Sequence, residues 1–170
     1  MASGEAAYPI LPATWRDLWA VRRLERAVFG PDAYPWYEIL GLLTFPGVVN
    51  LKAVDDANRL VGYIAGDPRP TERLSWIVTI AVYPTHQRRG IGRRLLRACE
   101  AALPPFDLRL TVRDSNTGAI RLYEQCGYRV LSRWPGYYRD GEDGLVMAKA
   151  AGQERAPVSM TGARQGGMGS

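Results

Sequence analysis

The sequence predicts a single mixed α/β domain. Strand-like and helix-like segments alternate in the order β-α-α-β-β-β-α-β-α-β-β. Glycine or proline stops follow the helical segments at Gly30, Pro104 and Gly127. The 170 residues, 46% of them hydrophobic, suffice for one full core and are too few for two ordinary domains.

The elements follow in order. Tyr8 to Leu11 reads as a short strand. Thr14 is a candidate N-cap for a helix through Val28, with Leu18, Val21, Leu24 and Val28 at helical spacing and Gly30-Pro31 as its stop. Trp36 to Leu43 reads as a shorter helix. Val48 to Val54 and Leu60 to Gly66 read as a hairpin across the polar turn at Asp55 to Asn58. Leu74 to Tyr83 is a longer strand. Gly90 to Leu103 is a helix whose predicted inner face is Ile91, Leu95, Ala98 and Ala102. Leu108 to Val112 is a strand, and Asn116 to Cys126 a helix ended by Gly127 at C′. Tyr128 to Ser132 and Leu145 to Lys149 complete the pattern. Residues 151–170, rich in Gly, Ser, Gln and Arg, are too poor in apolar side chains to offset ordering entropy. They are expected to form a disordered tail.

Composition narrows the function classes. The longest uncharged apolar stretch, Ile39 to Leu51, is interrupted by Pro46 and falls short of the roughly 20 residues that span a bilayer. No membrane attachment is expected. The first residues have no basic start followed by an apolar core, so no secretory signal is expected. Cys99 and Cys126 lack metal-ligand spacing, which predicts no metal and fits a reducing cytoplasm. The net charge of +5 calls for an anionic partner. Only Lys52 and Lys149 of the 22 basic residues are lysine.

The densest signal lies between Ile80 and Leu96. A strand end, Ile80-Ala81-Val82, leads through Pro84 to Gln87-Arg88-Arg89-Gly90-Ile91-Gly92 and then a helix. Glycines at a helix start leave backbone N–H groups uncovered, and these carry partial positive charge suited to a phosphate. Arg88, Arg89, Arg93, Arg94 and Arg97 crowd the same turn, where cations oppose the helix dipole unless an anion neutralises them. A plain glycine turn beside a solvated arginine face is the alternative.

Gln87-x-x-Gly90-x-Gly92 after Val82-Tyr83-Pro84 resembles the pyrophosphate loop of the GNAT superfamily, the acetyl-coenzyme A-dependent N-acetyltransferases. The resemblance spans about residues 8 to 150, so residues 1–150 are expected to form the acetyltransferase domain. It implies a central mixed, mostly antiparallel sheet flanked by helices. It also implies acetyl-coenzyme A held along Ile80, Ala81, Val82, Gln87, Arg88, Arg89, Gly90, Ile91, Gly92 and Arg93. The Ile80 N–H would face the acetyl carbonyl, and Val82 would pair with the pantetheine arm. Asn116, then Ala119-Ile120, Tyr123 and Gly127-Tyr128, resembles the second signature of the family. By that match Asn116 contacts the cofactor and Tyr123 is the general acid for the leaving thiolate. A phenol that titrates near 10 keeps its proton at neutral pH. The plain alternatives are an N-cap for Asn116 and a core aromatic for Tyr123.

Among GNAT proteins the chain most resembles the RimI-type ribosomal-protein N-alpha-acetyltransferases. These carry a glutamate where this chain has Thr111, and threonine accepts no proton at neutral pH. His86 and Glu72 are weaker candidates for the base. Tyr34 and Trp36 resemble the first-helix loop that lines the peptide groove of that subgroup, and Tyr137-Tyr138 its hairpin. The resemblance therefore implies a protein or peptide N-terminal amine as acceptor, attacked directly in a ternary complex. Direct binding of nucleic acid is not expected. A small-molecule amine acceptor and a non-catalytic coenzyme A-binding module stay open.

Overall fold

The computed structural model describes residues 7–153. Its elements are β1 (Ile10–Pro12), α1 (Leu18–Phe29), α2 (Trp36–Thr44), β2 (Val49–Val54), β3 (Leu60–Arg69), β4 (Leu74–Val82), α3 (Ile91–Ala102), β5 (Asp107–Arg113), α4 (Thr117–Gln125), β6 (Arg129–Trp134) and β7 (Gly144–Lys149). The order and type of every predicted element hold, and the tail prediction falls almost wholly outside the described residues. No described helix is long and apolar enough to cross a membrane.

The seven strands form one sheet in the order β1-β2-β3-β4-β5-β7-β6. Every neighbouring pair is antiparallel except β4 with β5, and that parallel pairing covers only Leu74 to Trp76 against Asp107 to Arg109. The helices α1 and α2 cover one face around Val21, Leu24, Ile39, Tyr63 and Ala65. The helix α3 covers the other around Ile64, Leu95, Leu96 and Cys99, with Tyr123 of α4 in the same cluster.

Local chemistry sets the element ends. The Thr14 N–H donates to Asp17 Oδ2 at 2.9 Å, and a 3-10 turn over Trp15–Asp17 precedes α1. The predicted helix therefore starts one turn late. Gly127, with φ +93°, closes α4: its N–H donates to the Glu124 carbonyl and that of Tyr128 to the Tyr123 carbonyl. This is the paired closure that a left-handed C′ residue permits.

The inner face of α3 differs from expectation. Ile91, Leu95, Leu96 and Cys99 are buried, whereas Ala102 is exposed. The helix turns its larger side chains to the sheet because β3 presents glycines beneath them. A Cβ on Gly62 would stand 2.9 Å from Leu95 Cδ1, and one on Gly66 2.7 Å from Cys99 Sγ. Both are closer than packed atoms sit, so α3 lies on bare backbone, and its N-terminus is fixed at the end of β4.

A buried polar cluster locks the far side. Lys149 Nζ donates to Glu100 Oε2 at 2.9 Å, and Tyr128 OH to Glu100 Oε1 at 2.8 Å. The other lysine, Lys52, pairs with Asp17 at 2.7 Å and ties β2 to the start of α1.

Gly66→Ala should lower stability by about 1–3 kcal/mol through overpacking. A second change, Cys99→Ala, should recover part of that loss by removing the sulfur that the new Cβ meets. Urea denaturation of the two variants and of Cys99→Ala alone measures both effects.

Candidate active site

Beyond Trp76 and Arg109 the strands β4 and β5 have no ladder between them. The Tyr83 N–H donates to the Val61 carbonyl of the β3 side at 3.0 Å. Backbone direction alternates along a strand, so Ala81 also turns to β3, while Ile80 and Val82 turn their backbone groups into the gap. The Val82 carbonyl there accepts Gln87 Nε2 at 3.0 Å. The Ala81 side chain is buried under α1 and α2. Where the gap begins, β4 carries a bulge: Ala65 pairs with Thr79 and Gly66 with Ile77, leaving Val78 as the extra residue.

The end of the gap meets the start of α3. Gly90 adopts φ +76° and Arg88 φ +61°. The first intrahelical bond runs from the Arg94 N–H to the Gly90 carbonyl at 3.1 Å, and no side chain caps the helix. The N–H groups of Ile91, Gly92 and Arg93 lie ahead of that bond without an acceptor in the helix. A Cβ on Gly92 would meet only Leu122 Cδ2 at 3.5 Å and Val82 Cγ2 at 3.9 Å, ordinary contacts. Among the described residues none of Arg88, Arg89, Arg93, Arg94 and Arg97 forms an ion pair, whereas Arg59, Arg69, Arg113 and Arg133 all do. Arg89 Nη1 donates to Tyr8 OH at 2.8 Å, and Arg93 bonds Gln125. Among the described residues the positive charge of this turn meets no carboxylate, an arrangement suited to an anion.

At α4, Asn116 is the N-cap, its Oδ1 accepting the Ala119 N–H at 3.2 Å. Tyr123 is buried, its ring edge-on to Tyr128 at 6.0 Å. Burial, and then the neighbouring Tyr138 phenol, push its hydroxyl far above the usual tyrosine range. It keeps its proton at any working pH.

Two loops cross the other side of the gap, and Arg113 at the end of β5 binds both. It bonds Asp32 from the loop between α1 and α2. It also bonds Asp140 at 2.8 Å and Glu142 at 2.6 Å in the loop between β6 and β7. Its guanidinium lies 4.1 Å from the centre of the Tyr138 ring. A cavity of about 450 Å³ is lined by Phe29, Pro31, Asp32, Arg113, Arg139 and Asp140 beside this clasp. The Tyr137 ring packs on Tyr138 at 5.0 Å and against the bare backbone of Gly144, close to the Thr111 methyl group. Tyr34 belongs to the same group: burial and then the field of Tyr137 push its phenol up to about 12. The structure therefore brings Tyr34, Tyr137, Tyr138 and Thr111 together. Trp36 stands apart on α2, exposed, with its ring against Tyr37.

Neither weaker base candidate reaches the gap side of β4. Glu72 precedes β4 at its paired end, within 4.0 Å of Arg69. His86 lies in the turn after β4, edge-on to Tyr8 at 5.8 Å and bonded to Thr85. Two residues that sequence reasoning did not single out do lie here. Arg113 is one, and its signal was its place between a strand end and the Asn116 helix. Glu25 is the other, a carboxylate 1% exposed on the buried face of α1, bonded to Thr79. A charge in the inner stripe of an amphipathic helix was its signal. The described residues hold no cluster that could ligate a metal.

Comparison with known proteins adds three findings. Residues 8–128 match the sequence model of the acetyltransferase (GNAT) family. An uncharacterized N-acetyltransferase of Methanocaldococcus jannaschii is 34% identical over 157 residues, 86% of this chain and 94% of that protein. The [ribosomal protein bS18]-alanine N-acetyltransferase of Salmonella typhimurium is 33% identical over 161 residues, 88% of this chain and 93% of its own length. Among solved structures, the ribosomal-protein-S18-alanine N-acetyltransferase from Escherichia coli superposes with a TM-score of 0.75 at 25% identity. It covers 85% of this chain and 94% of that one.

The clasp has a pH signature. The Ser115 side chain, then the Ser115 N–H at 2.8 Å, and then Arg113 hold the Glu142 carboxyl down to about 2. A lowered carboxyl contributes stability above its unfolded value near 4.3 and loses it as pH falls through the folded one. The Ser115 amide proton, followed by NMR, should therefore titrate with a midpoint near 2. A midpoint near 4.3 would show the contact to be absent in solution.

Proposed function

The chain belongs to the acetyltransferase (GNAT) family, and from that premise we propose that it moves acetyl from acetyl-coenzyme A to the α-amine of a protein N-terminus. The observation that carries this reading is the β4–β5 gap, with an uncapped, arginine-rich helix start at one side and a tyrosine-lined clasp at the other. The first suits a pyrophosphate and the second a chain end. The relative from Salmonella and the similar Escherichia coli structure, both named for acetylation of a ribosomal-protein alanine, favour a protein N-terminus over a small amine. A RimI-type acceptor in the cytoplasm, where Cys99 and Cys126 remain free thiols, is the specific form of the proposal.

The N–H groups from Ile91 to Arg93, with the surrounding arginines, hold the pyrophosphate. Asn116 contributes its free amide nitrogen to the cofactor. Val82 pairs with the pantetheine arm, and the Ile80 N–H polarises the thioester carbonyl. A preorganised donor of that kind contributes roughly 2.7–4 kcal/mol to the transition state. Tyr34, Tyr137 and Tyr138 orient the peptide end, with Trp36 at the outer margin. The amine attacks the carbonyl carbon, the C–S bond breaks, and Tyr123 gives its proton to the departing thiolate. Holding both substrates in one gap supplies much of the rate.

Mass spectrometry of a pool of free N-terminal peptides, blocked lysine peptides and small amines tests the acceptor. Acetylation confined to free N-termini is the expected outcome, and products on small amines alone would sink it. Tyr123→Phe should lower kcat by about 100-fold or more with the affinity for acetyl-coenzyme A retained. Gly92→Glu should abolish that affinity in calorimetry while the melting temperature holds, because a carboxylate then occupies the anion site.

A further inference from the structure

Glu25 has no part in the chemistry given so far, yet its position is costly. It is 1% exposed at the centre of α1, and its Oε2 atom is buried without a hydrogen-bond partner. Among the described residues no cation pairs with it. A carboxylate buried in this way destabilises a fold by several kcal/mol unless something compensates. Its other oxygen accepts the Thr79 hydroxyl at 2.5 Å. Thr79 directly follows the β4 bulge and directly precedes Ile80, whose N–H faces the gap. The Thr79 side chain lies on the α1 and α2 face of the sheet, the face that carries Tyr34. A threonine such as Thr111 cannot by itself hold a proton, whereas Thr79 has the Glu25 carboxylate behind it.

We propose that Glu25, acting through Thr79, takes the proton that the acceptor ammonium must lose before it attacks. The inference rests on the acceptor reading above. As one N–H bond of the ammonium breaks, that proton joins Thr79 Oγ1, and the proton already on Thr79 passes to Glu25 Oε1. The freed lone pair forms the N–C bond. The second amine proton leaves after attack and replaces the one that Tyr123 gives to the thiolate. The products are the amide, the thiol and one proton held on Glu25, which returns through Thr79 to solvent. Glu25 is thus a positioning and proton-holding residue, and Thr79 is the group that meets the amine.

The surroundings fit that task. Burial raises the Glu25 carboxyl above the ordinary range, and the bonds from Thr79 and the Tyr34 backbone only partly oppose it. A raised carboxyl is a stronger base, closer to an α-amine at about 7.7–8.0. The titratable groups that face it are the Tyr34 phenol from the loop after α1 and the Tyr63 phenol from β3. Burial raises both, so both stay neutral through the working range.

The test is the pH dependence of kcat for the full chain with a free N-terminal peptide, in four proteins: the native one, Glu25→Gln, Thr79→Val and Thr79→Ser. The expected result is a loss of about 100-fold in kcat for Glu25→Gln and Thr79→Val, with the acidic limb of the profile flattened. Thr79→Ser, which keeps the hydroxyl, should stay within about threefold. In Glu25→Gln the melting temperature should not fall and the calorimetric affinity for acetyl-coenzyme A should be unchanged, which separates lost proton transfer from lost fold. A Glu25→Gln profile that matches the native one in height and shape would overturn the relay and leave the acceptor reading standing. A native protein that acetylates no amine in the pool would overturn both.

Discussion

The interaction on which the molecule depends is one that stops. The β4–β5 pairing runs for three residues, Leu74 to Trp76, and then ends. Parallel strands held along their whole length would bury the Ile80 and Val82 backbone groups in a ladder. Because the ladder ends, those groups face a gap instead, and backbone N–H groups become the working surface of a sheet. The bulge at Val78 sits at the point of divergence and adds the local twist that such irregularities bring. The rest of the fold keeps the gap open. The helix α3 rests on the bare backbone of Gly62 and Gly66 and so fixes its own N-terminal turn against the end of β4. On the other side Arg113 draws the two crossing loops together.

Charge is divided between those two sides with little overlap. Among the described residues the arginines around α3 have no carboxylate partners. Around Arg113 the carboxylates of Asp32, Asp140 and Glu142 neutralise the cation within the fold. The first arrangement favours binding of a ligand, and the second favours a fixed shape.

Much of this was legible in the chain. Periodicity and the stops at Gly30, Pro104 and Gly127 gave the elements, because those signals act locally. Gly90 and Gly92 marked the uncapped start of α3, because a bare helix start needs small residues at fixed spacing. The inner face of α3 was misread at Ala98 and Ala102, since the glycines that receive the helix lie on β3, far away in sequence. Glu25 and Arg113 escaped notice for a related reason. Their partners are 54 and 81 residues distant, at Thr79 and Asp32, and no local pattern announces a contact made only after folding.

The two lysines carry a consequence of their own. Lys149 is sealed in the core against Glu100 and Tyr128, and Lys52 is engaged by Asp17. An unprotonated lysine is a nucleophile that a reactive thioester acylates without help. The positive surface here is made of arginine, whose guanidinium does not lose its proton and so does not react. The folded chain can sit in a pool of its acyl donor with both lysines shielded. Its positive field is built from the one cationic side chain that such a donor cannot erase.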